Sequence, residues 1–116
     1  MNKELKELVE KLCEDLTKAM NTRWKHSRGV TTHNYSVGQK YIRIYSEENG
    51  SMKSAWGFIN KKEFQKGATG ITFKEGDVLK CAGWQTPALN APRGNLFEGY
   101  DINPNTMRIY GPDYLR

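Results

Sequence analysis

The chain has 116 residues, which is one domain with room for one modest core and excludes a multidomain enzyme. Charged residues make up 27% and hydrophobic residues 37%, yet three Trp, six Tyr and four Phe supply the aromatic content that disordered chains lack, so a folded domain is expected. The net charge of +5 is uneven: residues 1–20 hold four basic and five acidic side chains, for −1, which leaves 14 minus 8, or +6, for the remainder.

Leu5, Leu8, Val9, Leu12, Leu16, Ala19 and Met20 recur at helical spacing, with Lys3, Glu4, Glu7, Glu10, Lys11, Glu14 and Lys18 on the other faces. This pattern predicts an amphipathic helix over residues 1–22. Its stripe is suited to packing on the chain's own sheet, and its four-three alternation would also allow a short seam with a second copy. From Asn21 to Tyr45 the chain carries Arg23, Lys25, Arg28, Lys40 and Arg43 with no carboxylate, a local field suited to phosphates.

After a polar stretch, KYIRIYS alternates Tyr41, Arg43 and Tyr45 with Ile42 and Ile44, which reads as a half-buried strand. Asn49 and Gly50 then signal a hairpin turn, and the returning MKSAWGFIN is expected to place Met52, Trp56 and Phe58 on one face. ATGITFK and VLKCAGW, joined by EGD, read as a further turn-linked pair. Residues 85–105 hold three of the four prolines and no periodicity, so an ordered loop or helical turn is expected there, before a short closing strand in TMRIYG. The sum is a single α+β domain, an N-terminal amphipathic helix packed on a small antiparallel sheet spanning residues 37–116.

Cys13 and Cys81 are too far apart in sequence to suggest a disulfide framework, MNKELKELVEK has no apolar leader segment, and no long apolar run could cross a bilayer. A cytoplasmic protein with reduced thiols is expected. For catalysis the chain offers little: His26 and His33 are its only histidines, their spacing from the cysteines does not suggest a metal site, and no phosphate-cradling glycine loop is present. No enzymatic activity, cofactor or metal is therefore expected. What the loops and strand ends offer is arginine, asparagine and aromatic side chains, which can chelate phosphate, pair with base edges and stack on nucleobases.

The block GDVLKCAGWQTPALNAPRGN, with the preceding YIRIY and AWGFIN segments and a close in YLR, resembles the phage anti-Thoeris sponge family. Members of that family sequester a cyclic ADP-ribose isomer made by a bacterial TIR enzyme and leave it intact. The resemblance is clearest over residues 41–116. It implies a phage anti-defence protein acting in the host cytoplasm, forming a homodimer or higher oligomer up to a hexamer, with the signal held between protomers and cyclic di- or trinucleotides at a second site.

By position the resemblance assigns phosphate clamping to Arg28 and Arg108 and the second-site loop to Arg93 and Asn95, and Asn90 in the same block is a further candidate ligand-binding residue. Base stacking falls to Trp84, with Phe97 as the other choice. A different reading of the same charge is a small single-stranded nucleic-acid-binding protein, with Tyr41 and Tyr45 stacking on either side of Arg43.

Overall fold

The computed structural model describes residues 1–23, 31–48, 50–68, 70–83 and 85–113. Helix α1 (Lys3–Arg23) forms where the apolar periodicity places it. Asn2 caps it: Oδ1 accepts the Leu5 N–H at 2.7 Å, as a side-chain oxygen at a helix start does. The Asn2 amide also donates to the Glu75 carboxylate. The start of the helix is thereby tied to a turn 73 residues further along the chain.

Strands β1 (Thr31–Val37), β2 (Tyr41–Glu48), β3 (Ser51–Asn60) and β6 (Val78–Leu79) form one antiparallel sheet in the order β1-β2-β3-β6. Strands β4 (Phe64–Gln65) and β5 (Thr72–Phe73) form a separate hairpin. The alternation in β2 holds, with Ile42 and Ile44 fully buried. These two, with Ile59 and Val78, pack beneath Leu5, Val9, Leu12, Cys13 and Leu16 of α1.

A second, smaller core lies on the other face of the sheet, where Phe58 and Leu79 meet Phe73, with Tyr41, Phe64, Cys81 and Leu89 around them. Phe64 stacks on Phe73 at 5.2 Å, and Tyr41 is edge-on to Phe58 at 6.3 Å. The result is helix over sheet over hairpin and loop. Among the described residues no helix is long and apolar enough to cross a membrane.

Four sequence expectations are corrected. The sheet begins at Thr31, before residue 37, because the polar stretch TTHNYSV pairs with β2 along its whole length. Trp56 and Phe58 do not share a face: the register between β2 and β3 shifts at Ile44/Tyr45, and this bulge turns Trp56 into the core under α1 while Phe58 enters the second core. Strand β5 pairs with β4, and β6 with β3, so the two runs around EGD are not partners.

Finally, TMRIYG is no strand. Met107–Ile109 is a 3₁₀ turn, because the Arg108 carbonyl is claimed by the Trp56 indole N–H at 2.6 Å and by the Gly111 N–H at 3.3 Å. The loop over residues 85–105 does contain a short helical turn, Leu96–Glu98.

Both edges of the four-stranded sheet are occupied. At β6, Val78 donates to the Gly94 carbonyl and accepts from Arg93 N–H at 2.7 Å. At β1 the helix does the covering with side chains: His33 N–H donates to Thr17 Oγ1 at 2.8 Å, and the Asn21 amide both donates to the Thr31 carbonyl and accepts its N–H. Gly57 lets the C-terminal segment approach the sheet, since a Cβ there would lie 2.8 Å from the Leu79 carbonyl oxygen and from Pro112 Cγ.

Candidate functional site

Three residues singled out from the sequence converge at the C-terminal segment. The Arg108 guanidinium donates from Nε to both carboxylate oxygens of Asp113, at 3.0 and 3.1 Å, and from a terminal nitrogen at 2.9 Å. It also donates to the Asp101 carbonyl and lies 4.2 Å from the Tyr100 ring centroid. Arg93 donates to the Asp113 carbonyl at 2.9 Å and to Asn90 Oδ1 at 2.8 Å. Lys80 adds a bond to the Pro112 carbonyl at 2.9 Å.

Three cations therefore hold residues 112–113 in place, and the Arg108 fork already carries a carboxylate. That carboxylate is 43% exposed, so a competing anion can reach the same donors only by displacing it.

Asn95 serves the fold directly. It is buried, donates to the Glu75 carbonyl and to the Asp77 carboxylate at 2.9 Å each, and accepts the Phe97 N–H at 2.8 Å. Phe97 lies elsewhere, lining a hollow with Glu4, Glu7, Leu8 and Lys11. Arg28, Trp84 and His26 fall outside the described residues.

A cleft of about 360 Å³ opens on the sheet face opposite α1, bounded by the β1–β2 turn and by Gln85. Lys40 and Arg43 supply its positive charge, Tyr41 and Phe58 its aromatic surface, and Ser36 and Gln39 further hydrogen-bonding groups. None of the described residues that line it carries a carboxylate. The turn is braced from behind, where Gly38 N–H donates to the Tyr41 carbonyl at 2.9 Å and Lys61 Nζ to the Gly38 carbonyl at 2.8 Å. Arg43 extends along the strand with its guanidinium carbon 6.0 Å from the Tyr45 ring centroid, and partial burial pushes the Tyr41 hydroxyl pKa upward.

Such a surface can hold a phosphate through its cations and an aromatic ring against Tyr41. The acid-free run and the Tyr41–Arg43–Tyr45 alternation were signals for it in the sequence. Phe58 and Gln85, brought in from remote positions by the sheet and its covering loop, were not.

A family model described as "Family of unknown function (DUF7717)" matches residues 1–104. The chain belongs to this family. No curated protein and no solved structure matches it. In this DUF7717 protein the matched span contains every described residue of the cleft, whereas Arg108 and Asp113 lie beyond it.

His33 sits beneath α1, 4% exposed, with its Nδ1 lacking a hydrogen-bond partner among the described residues. Burial pushes its pKa down to about 4. Among the described residues, no three His, Cys, Asp or Glu side chains come together as a metal site requires.

Proposed function

We infer that this protein binds a phosphate-bearing nucleotide and holds it without converting it, as sequestration of a signalling molecule requires. The observation that carries this reading is the acid-free cleft, in which Lys40 and Arg43 stand beside Tyr41 and Phe58. Its volume lies at the small end of the range of nucleotide-sized sites. Holding a scarce ligand calls for affinity near nanomolar, about 12 kcal/mol, and for enclosure on more sides than one sheet face offers, so a second copy closing over the cleft is part of the proposal.

His33 lies away from the cleft: it pairs with Ser46 of β2, its N–H meets Thr17 of the helix, and it is not among the residues that line the cleft, so it is not placed to act as an acid or base on a ligand held there. The resemblance names the ligand to try first, the glycocyclic ADP-ribose isomer made by TIR enzymes.

The test is retention and release. Protein incubated with that nucleotide is filtered, and the retained fraction is denatured by heat. Intact nucleotide should return in fixed ratio to protomer, and Lys40→Ala with Arg43→Ala should lower retention by at least tenfold while the unfolding temperature stays within a few degrees. Nucleotide left in the filtrate, or recovered as a cleaved product, would overturn the reading.

The placement of Tyr41, Arg43 and Tyr45 on one half-exposed strand face also favours single-stranded nucleic acid as a second ligand class. Oligothymidylate affinity that falls steeply with salt would separate it from the first.

A further inference from the structure

On the helix side of the molecule, two hollows of about 150 and 420 Å³ share Leu8 and Lys11 and together form one groove between α1 and residues 96–101. Its floor is apolar, with Leu8, Leu12, Leu96 and Phe97 contributing. Phe97 is 41% exposed, yet it is held in place. Its N–H is fixed by Asn95, and its ring lies across Gly76, where a Cβ would come within 2.6 Å of it and where φ is +85°. An aromatic ring pre-set in a half-open position is the kind of anchor on which binding energy concentrates, because little side-chain freedom remains to be lost.

The rim has the opposite sign to the molecule. Glu4, Glu7, Asp15 and Asp101 line the groove against Lys11 alone, four negative charges and one positive, or −3, on a chain of +5. Lys11 is itself paired with Asp15 at 2.8 Å. From Glu4 to Asp15 the helix runs roughly 16 Å at about 1.5 Å per residue, about three turns of a docked helix.

We propose that this groove docks a cationic amphipathic segment of another protein, which sets an apolar side chain between Leu8 and Phe97 and its Lys or Arg side chains against the carboxylate rim. A second copy of this chain fits less well: the apolar stripe of α1 is already buried on its own sheet, so a copy has no amphipathic helix to offer. The groove is on the opposite side of the sheet from the cleft and stands or falls independently of it.

The experiment titrates isotope-labelled protein with a 14-residue peptide of Leu and Lys in helical alternation. Because the protein as a whole repels such a peptide, binding requires the local field. Amide shifts should cluster at Leu8, Lys11, Phe97 and Gly99, and affinity should fall at least tenfold in Phe97→Ala and in Glu4→Lys with Glu7→Lys, with unfolding temperatures unchanged. The same peptide with Glu in place of Lys should not bind. The proposal is overturned if the shifts map elsewhere, if either variant binds like the parent, if the peptide fails to bind at millimolar concentration, or if sedimentation finds a dimer that Phe97→Ala dissolves.

Discussion

At the scale of single residues, His33 is a buried polar side chain whose Nδ1 has no hydrogen-bond partner among the described residues. Its folded-state pKa of about 4 lies below the ordinary value of 6.5, so on acidification the unfolded chain takes the proton first. The contribution of the neutral, buried imidazole is complete above pH 6.5 and is lost as the pH falls toward 4. Between pH 7 and pH 5 this amounts to about 2 kcal/mol. Urea midpoints measured across that interval should fall accordingly, and His33→Leu should flatten the profile. A parent profile that is already flat would mean that the ring is hydrated.

Arg108 has the opposite character, a charge whose partners are all supplied. Its carbonyl receives the Trp56 indole while its guanidinium holds Asp113 and lies against Tyr100. One residue thus joins the bulge of β3, the loop and the C-terminal segment.

At the scale of elements, the covering of β1 by α1 explains how a seven-residue strand of uncharged side chains sits at a sheet edge without inviting another chain. Thr17 and Asn21, four residues apart on one helix face, satisfy the backbone of His33 and Thr31. Thr17→Val leaves the His33 N–H without its acceptor, at a cost of about 1–3 kcal/mol. Combined with Asn21→Ala it should open the edge and raise light scattering on mild heating. Stability and scattering equal to the parent would show that the edge is protected in another way.

The same elements show which parts of the fold the sequence discloses. The helix and β2 are legible because Leu5, Val9, Leu12 and Leu16, and then Ile42 and Ile44, bury one face each and keep a clean period. Strand β1 is not, because its outward positions are finished by helix side chains and no alternation of apolar residues marks it. The Trp56 bulge is equally hidden, since a one-residue shift in register reverses faces without any change in composition. The partners of β5 and β6 are set by Phe64, Phe73 and Leu79 meeting in the second core, a fact of long-range packing. Of the site, the positive charges were visible and their enclosure was not.

At the scale of the whole molecule, the sheet divides two interiors as well as two kinds of surface, a cationic cleft on one side and an acidic groove on the other. Each interior contains one of the chain's two cysteines: Cys13 lies under the helix with its thiol pKa pushed by burial up to about 12, and Cys81 borders the second core, half-buried and shifted the same way to a smaller extent. A thiol-reactive dye should therefore act as a pair of clocks, modifying Cys81 when the loop lifts and Cys13 only when the helix undocks. Two labelling rates, with Cys81 the faster, would show that the layers open separately. A single shared rate would mean that the three layers come apart as one cooperative unit.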